Sequence, residues 1–181
     1  TYCATPFLYK YKTRKIDQVF REIEYLYYKY KVKDFAFYDD ALLYDSEKHI
    51  NKLLLKIIKS KMKVNFHTPN GLHAKFLTQK TAELMYESGF KTIRLSLETA
   101  NLSRQKSTGG KVTCKDIKNA IKLLEHAGFS RKHIEVYVMF GLPGQELKEV
   151  FDTIKFVAKL GVKTKLAEFS PIPGTKEYKK I

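Results

Sequence analysis

The stretch Thr92-Ile93-Arg94-Leu95-Ser96-Leu97-Glu98 alternates strictly between apolar and polar side chains. A period of two marks a β-strand with two unlike faces. One face carries Ile93, Leu95 and Leu97; the other carries Arg94, Ser96 and Glu98. Neighbouring stretches repeat the division. Asn65 and His67 stand opposite Val64 and Phe66, and Glu135 and Tyr137 stand opposite Val136, Val138 and Phe140. A doubly wound open sheet is apolar on both faces, because helices cover both. A closed eight-stranded barrel fills its interior with branched aliphatics. A polar inner face beside an apolar outer face instead fits an incomplete barrel, with helices outside and a lumen wide enough for a polar ligand. The alternative is an internal Arg94–Glu135 salt bridge that fills the polar face and leaves no ligand site.

Working outward, strand and helix signals alternate along the chain. Ile16, Val19, Phe20, Ile23, Leu26 and Tyr30 recur at helical spacing, and 34–38 reads as a strand. Ile50 to Ile58 marks a helix and 64–67 a strand. The segment 78–88 is helical and 92–97 a strand. Thr113 opens a helix with Asp116 three residues on, in the manner of a capping box. Strands at 134–140 and 163–169 flank a last helix at 146–160. Gly89, Gly128 and Gly161 each close a helix and feed an apolar residue toward the next strand. Five strands separated by helices predict right-handed βαβ units and a parallel sheet in one domain, 1–181. Polar and glycine-rich segments gather where strands end: Asp39-Asp40, His67-Thr68, Glu98-Thr99, Gly141 to Gly144 and Ser170-Pro171. In parallel α/β proteins ligands bind at that edge.

Composition narrows the function classes. The 181 residues suffice for one domain with a sizeable core. No apolar run approaches the roughly 20 residues of a membrane span, no secretory signal is expected, and two cysteines make no disulfide scaffold. The expected location is the cytoplasm. A net charge of +15 invites a polyanion partner, yet only five of the 34 basic residues are arginine, the planar reader of phosphates and bases. Lysine spread through every helix reads as a solvated surface, so nucleic acid is the lesser expectation. Thr1 is not methionine, and 177–181 reads as a helix cut short, so the expectation is a piece of a longer chain.

Five motifs stand in a telling order: Tyr2-Cys3-Ala4, FYDDALLYD at 37–45, RLSLETAN at 94–101, MFGLPGQE at 139–146 and FSPIPGT at 169–175. Together they resemble the radical S-adenosylmethionine (radical SAM) enzymes, most closely the branch often preceded by a cobalamin-binding domain. The resemblance implies an incomplete (β/α)6-type, TIM-like barrel that here lacks its first strand. It implies a 4Fe-4S cluster on three thiolates with one iron left open, S-adenosylmethionine on that iron, and reductive release of a 5′-deoxyadenosyl radical. A flavodoxin or ferredoxin would supply the electron, the substrate would be a small molecule, and cobalamin would assist the branch that methylates unactivated carbon.

Residue by residue, Cys3 resembles the third cluster cysteine, the first two falling before Thr1, so the isolated chain is expected to be inactive. Tyr2 resembles the aromatic beside the adenine. Asp39 and Asp40 stand where the family holds the methionine amino group, and which of them acts is open; a turn-forming pair is the plain alternative. Glu98 resembles the polar residue that binds ribose or the methionine end. Gly141, Pro143 and Gly144 resemble the glycine motif at the adenine, and Pro171 belongs to the loop after the last strand, which also meets adenine. Lys106 sits where a basic residue is common. His67 and His73 flank a loop that could face substrate, and Cys114 reads as a small structural residue. Without the first strand, the edge at 34–38 would self-associate or be covered by 6–12. Weaker rivals are an RNA-modifying member of the same superfamily, a non-catalytic polyanion-binding module and a metal-free TIM-barrel enzyme.

Overall fold

The computed structural model describes residues 2, 3, 5 and 10–181. Helix α1 (Ile16–Tyr30) leads to β1 (Asp34–Ala36), and α2 (Ile50–Ser60) to β2 (Asn65–His67). Helix α3 (Gln79–Ser88) leads to β3 (Phe90–Glu98). A short α4 (Leu102–Ser107) and then α5 (Cys114–His126) precede β4 (Ile134–Phe140), and α6 (Leu147–Lys159) precedes β5 (Lys163–Glu168). The five strands form one sheet in the order β1-β2-β3-β4-β5, and every pairing is parallel.

Local chemistry sets the boundaries. Thr78 caps α3 by accepting from the Thr81 amide, and Thr113 with Asp116 forms the expected reciprocal box at α5. Gly89, Gly128 and Gly161 all take positive φ after their helices. At Gly89 a Cβ would stand 2.3 Å from the Val64 carbonyl oxygen, so both the turn and the packing exclude a side chain. Helix α4 carries no apolar period long enough to announce it; Asn101 starts it by accepting from the Arg104 amide. Strand β1 stops at Ala36, short of the expected Tyr38, although the Phe37 amide still donates to the His67 carbonyl. The final residues form a 3-10 turn, Tyr178–Lys180, rather than a cut helix.

The two faces of the sheet separate as the alternation requires. Ile93, Leu95, Val136 and Val138 are fully buried and join Ile117, Leu124 and Val157 of the helices in one core. Each such side chain contributes roughly 1.5–3 kcal/mol by leaving water. The helices thus cover the apolar face and leave Ser96, Glu98, Tyr137 and Met139 toward a cavity. Strands β1 and β5 each pair on one side only among the described residues. The suggested cover over the β1 edge falls partly at 6–9, outside the described residues. No described helix is long and apolar enough to cross a membrane.

Candidate cofactor and substrate cavity

A cavity of about 930 Å³ opens at the edge where the strands end. That volume lies in the upper part of the range for small-molecule and cofactor sites. The loop after β1 brings Asp39 and Asp40 to it, the loop after β2 brings Asn70, Gly71 and His73, and β3 brings Ser96 and Glu98. Tyr2 and Cys3 reach it from the N-terminal segment, and Lys111 from the loop between α4 and α5. A water-sized annex beneath Glu98 is shared by Tyr2, Gln105 and Lys111. Gly71 lets the wall pack closely, since a Cβ there would stand 2.0 Å from the Ser96 hydroxyl oxygen and would force that side chain to turn.

Glu98 is the electrostatic centre. The β3–β4 register shifts between Ser96 and Glu98, and Glu98 takes φ +71°, a left-handed value rare for a glutamate. This irregular strand end presents the carboxylate to the cavity beside Tyr2 and Lys111. Burial pushes the Glu98 carboxyl above the usual glutamate range, while the Lys111 ammonium and a hydrogen bond from the Tyr2 hydroxyl act in the opposite direction. Burial, with the charges of Glu98 and Cys3, pushes the Tyr2 phenol well above its ordinary value. A network joins Cys3 to the acidic loop. The Cys3 thiol donates to the Thr5 hydroxyl at 3.2 Å, Thr5 donates to Asp40 at 3.3 Å, and Asn70 donates to the other Asp40 oxygen at 3.2 Å. Asp39 instead accepts from the Ala41 amide at 3.2 Å, a turn-capping role, though it too borders the cavity.

Other expected residues lie elsewhere. Gly141, Pro143, Gly144 and Pro171 are outside the cavity lining. The Arg104 guanidinium donates to the Pro143 carbonyl at 3.3 Å and the Gly144 carbonyl at 2.8 Å, holding that turn against α4. The Arg94–Glu135 pair does form, at 2.8 Å, but it stands beside the cavity rather than filling it, so both readings of the polar face hold in part. Arg94 therefore does not neutralise Glu98. His67 hydrogen-bonds Thr92 and pairs with Asp34, away from the cavity, whereas His73 lines it. Lys106 is exposed and outside the lining; the basic side chain that does reach Glu98 is Lys111. The adjacent Gly109 and Gly110, both at positive φ, are the sequence signal for the turn that brings it there.

The cluster that the motif order implies would need three thiolates at this edge. Cys3 is the one cysteine at the cavity among the described residues, and Cys114 is engaged with Ala100 and Gln105, in keeping with a structural role. No three His, Cys, Asp or Glu among the described residues group as a metal site. One thiolate does not hold a 4Fe-4S cluster. A zwitterionic nucleoside fits better, because carboxylates and an ammonium face the same space.

Residues 1–157 match the family described as the radical SAM superfamily. The chain is 25% identical over 170 residues to the uncharacterized methyltransferase PH0819 of Pyrococcus horikoshii, covering 92% of this chain and 35% of that protein. Among solved structures, it is similar to the radical S-adenosylmethionine methyltransferase TsrM of Kitasatospora setae, solved with cobalamin and a [4Fe-4S] cluster bound. The TM-score there is 0.72 at 16% identity, over 86% of this chain and 29% of that one. It is also similar to coproporphyrinogen III oxidase of Escherichia coli, with a TM-score of 0.62 at 15% identity, over 95% of this chain and 42% of that one. The shared architecture is the open, partial TIM-like barrel, and the chain spans about a third of the curated relative's length.

Proposed function

Since the chain belongs to the radical SAM superfamily, we propose that its cavity binds S-adenosylmethionine as the core of a longer radical SAM enzyme. The observation that carries the reading is the meeting of Glu98, Lys111, Asp40 and Tyr2 around one space beside Cys3. Asp40 takes the methionine ammonium, because its carboxylate already belongs to the network that starts at Cys3. Lys111 takes the carboxylate, and Glu98 accepts from the ribose hydroxyls once the Tyr2 hydroxyl releases it. Tyr2 covers the adenine. The loops of Gly141, Pro143, Gly144 and Pro171, which leave the same edge of the sheet but stand outside the present lining, are the further adenine contacts in this reading.

The radical-forming chemistry belongs, in this reading, to the longer protein, which supplies the remaining thiolates and receives its electron from a flavodoxin or ferredoxin. Similarity to methyltransferases supports a cobalamin-assisted methyl transfer to a small molecule there. The 181-residue chain alone is inactive, and β1, paired on one side only among the described residues, favours self-association.

Calorimetric titration with S-adenosylhomocysteine, the thioether product of methyl transfer, tests the binding claim without a cluster. Weak binding is expected, with a loss of about ten-fold on Glu98→Ala, the scale of a hydrogen bond to a charged group. Lys-to-Ala changes on the outer helices should have no effect. Absence of binding, or equal binding by Glu98→Ala, would remove the cofactor assignment. Anaerobic reconstitution of the same chain with iron and sulfide should leave no stable cluster; a stoichiometric one would overturn the reading of Cys3 as one ligand among three.

A further inference from the structure

His73 differs from the other histidines near the sheet. His67 is paired with Thr92 and Asp34, and His49 with the Arg14 carbonyl. The His73 ring borders the cavity, is partly buried, and has no hydrogen bond or ion pair to any described residue. The ring nitrogens keep access to the cavity, so a molecule that occupies it can hydrogen-bond them without displacing a protein partner. Its surroundings also have a shape. The ring stacks on Phe76 at 5.8 Å and 29°. Phe76 meets Tyr44 edge-on at 5.7 Å, and Tyr44 meets Tyr11 at 5.1 Å. Both ends of this aromatic run, His73 and Tyr11, line the cavity.

We propose that His73 is a substrate-binding residue, accepting a hydrogen bond from a planar, donor-bearing organic substrate that packs against the His73 and Tyr11 rings, the two members of the run that line the cavity. The inference rests on the cofactor reading for the site's purpose but on different residues for its chemistry. A volume of about 930 Å³ leaves room for a second small molecule beside a nucleoside. Burial and the nearby Lys111 charge hold the His73 imidazole down to about 4, so at neutral pH the ring is uncharged and one nitrogen is an acceptor. Lys111 is the neighbouring charge that bears on it, and a cationic imidazole beside that ammonium is disfavoured. The substrate class is therefore an aromatic or otherwise flat molecule presenting O–H or N–H, and not a carboxylate or phosphate directed at this ring.

The test uses phenol and its methyl ether anisole as probes, titrated into the protein and followed by the ring nitrogen signals of 15N-labelled histidine. Wild-type protein should bind phenol about five-fold more tightly than anisole, the scale of one neutral hydrogen bond, with the shift confined to His73. The preference should vanish in His73→Phe, which keeps a ring on Phe76, and return in His73→Gln, which restores an acceptor. Equal binding of the two probes to wild type, no binding of either, or a preference that survives His73→Phe overturns the proposal. S-adenosylhomocysteine affinity on the same samples separates the two readings. It should be unchanged in His73→Phe; a specific loss there would make His73 a cofactor ligand and overturn the inference. A phenol preference persisting in protein that binds no S-adenosylhomocysteine would support His73 and sink the cofactor reading.

Discussion

The loop after β1 carries its acids to the cavity, whereas the glycine turn after β4 is drawn away from it. Both leave the same edge of the sheet, and both carry a motif. What separates them is the chemistry of their anchors. Asp40 is held by Thr5 and Asn70, two side chains that themselves border the cavity. Pro143 and Gly144 are held through their carbonyls by Arg104, and Arg104 is locked to Glu149 of α6 at 2.7 Å, with side chains only 17% and 10% exposed. Thr99, next to Glu98, donates to the same Glu149 at 2.8 Å. Motif order predicts which loops share an edge; hydrogen-bonded anchoring decides how far each reaches over it.

The largest expected effect breaks that anchoring. Glu149→Ala leaves a shielded guanidinium without its carboxylate, and should cost about 3–5 kcal/mol in denaturant unfolding. The exposed Lys148–Asp152 pair, one helical turn apart on α6, gives the contrast: Asp152→Ala should cost no more than about 0.5 kcal/mol. Equal losses would mean that the glycine turn is positioned by its own backbone rather than by the clamp. Next comes the division of labour in the acidic loop. Asp40→Ala should weaken S-adenosylhomocysteine binding about ten-fold, as loss of a charge-assisted bond does, with Asp39→Ala staying within about two-fold. The reverse ranking would assign the ammonium to Asp39.

The smallest effect concerns stability against pH. The Glu98 carboxyl is raised, so the folded state holds its proton more tightly than the unfolded state. Its contribution is present at low pH and is lost as pH rises through the raised range. Glu98→Gln should therefore raise the melting temperature by a few degrees at pH 8. The gain should fade as pH drops below the ordinary glutamate range near about 4.3. A pH-independent gain would trace the effect to packing and not to the buried charge.

Much of the fold was legible because alternation is a local signal. Ile93, Leu95 and Leu97 are buried against the helices, and Ser96 and Glu98 face the cavity, as a period of two dictates. The capping box at Thr113 and the positive-φ glycines that close three helices were equally local. The site was less legible because its members meet through turns. Lys111 arrives by way of two positive-φ glycines, and a fixed offset from the motif selects Lys106 instead. His67 and His73 look equivalent around Pro69-Asn70-Gly71, yet one lies within β2 beside Asp34 and the other follows the turn. The Arg104–Glu149 clamp joins residues 45 apart and carries no sequence pattern at all.

The side-by-side order of β1 to β5 has a consequence for how the molecule breathes. Each strand pairs only with its neighbours in the chain, so the described sheet is a linear array, with no closing contact between its first and last members. In such an array each interface adds its own increment of cooperativity, and a terminal unit is released by breaking one interface instead of two. The central β3–β4 pairing, which holds Glu98, is supported from both sides, while the outer strands are not. Opening by local fraying therefore costs least at the flanks that carry Asp39, Asp40 and Ala167 around the cavity. Widening of the mouth is thus available to this topology as a partial unfolding of its rims, without a hinge and without disturbing the strand end that carries the central carboxylate.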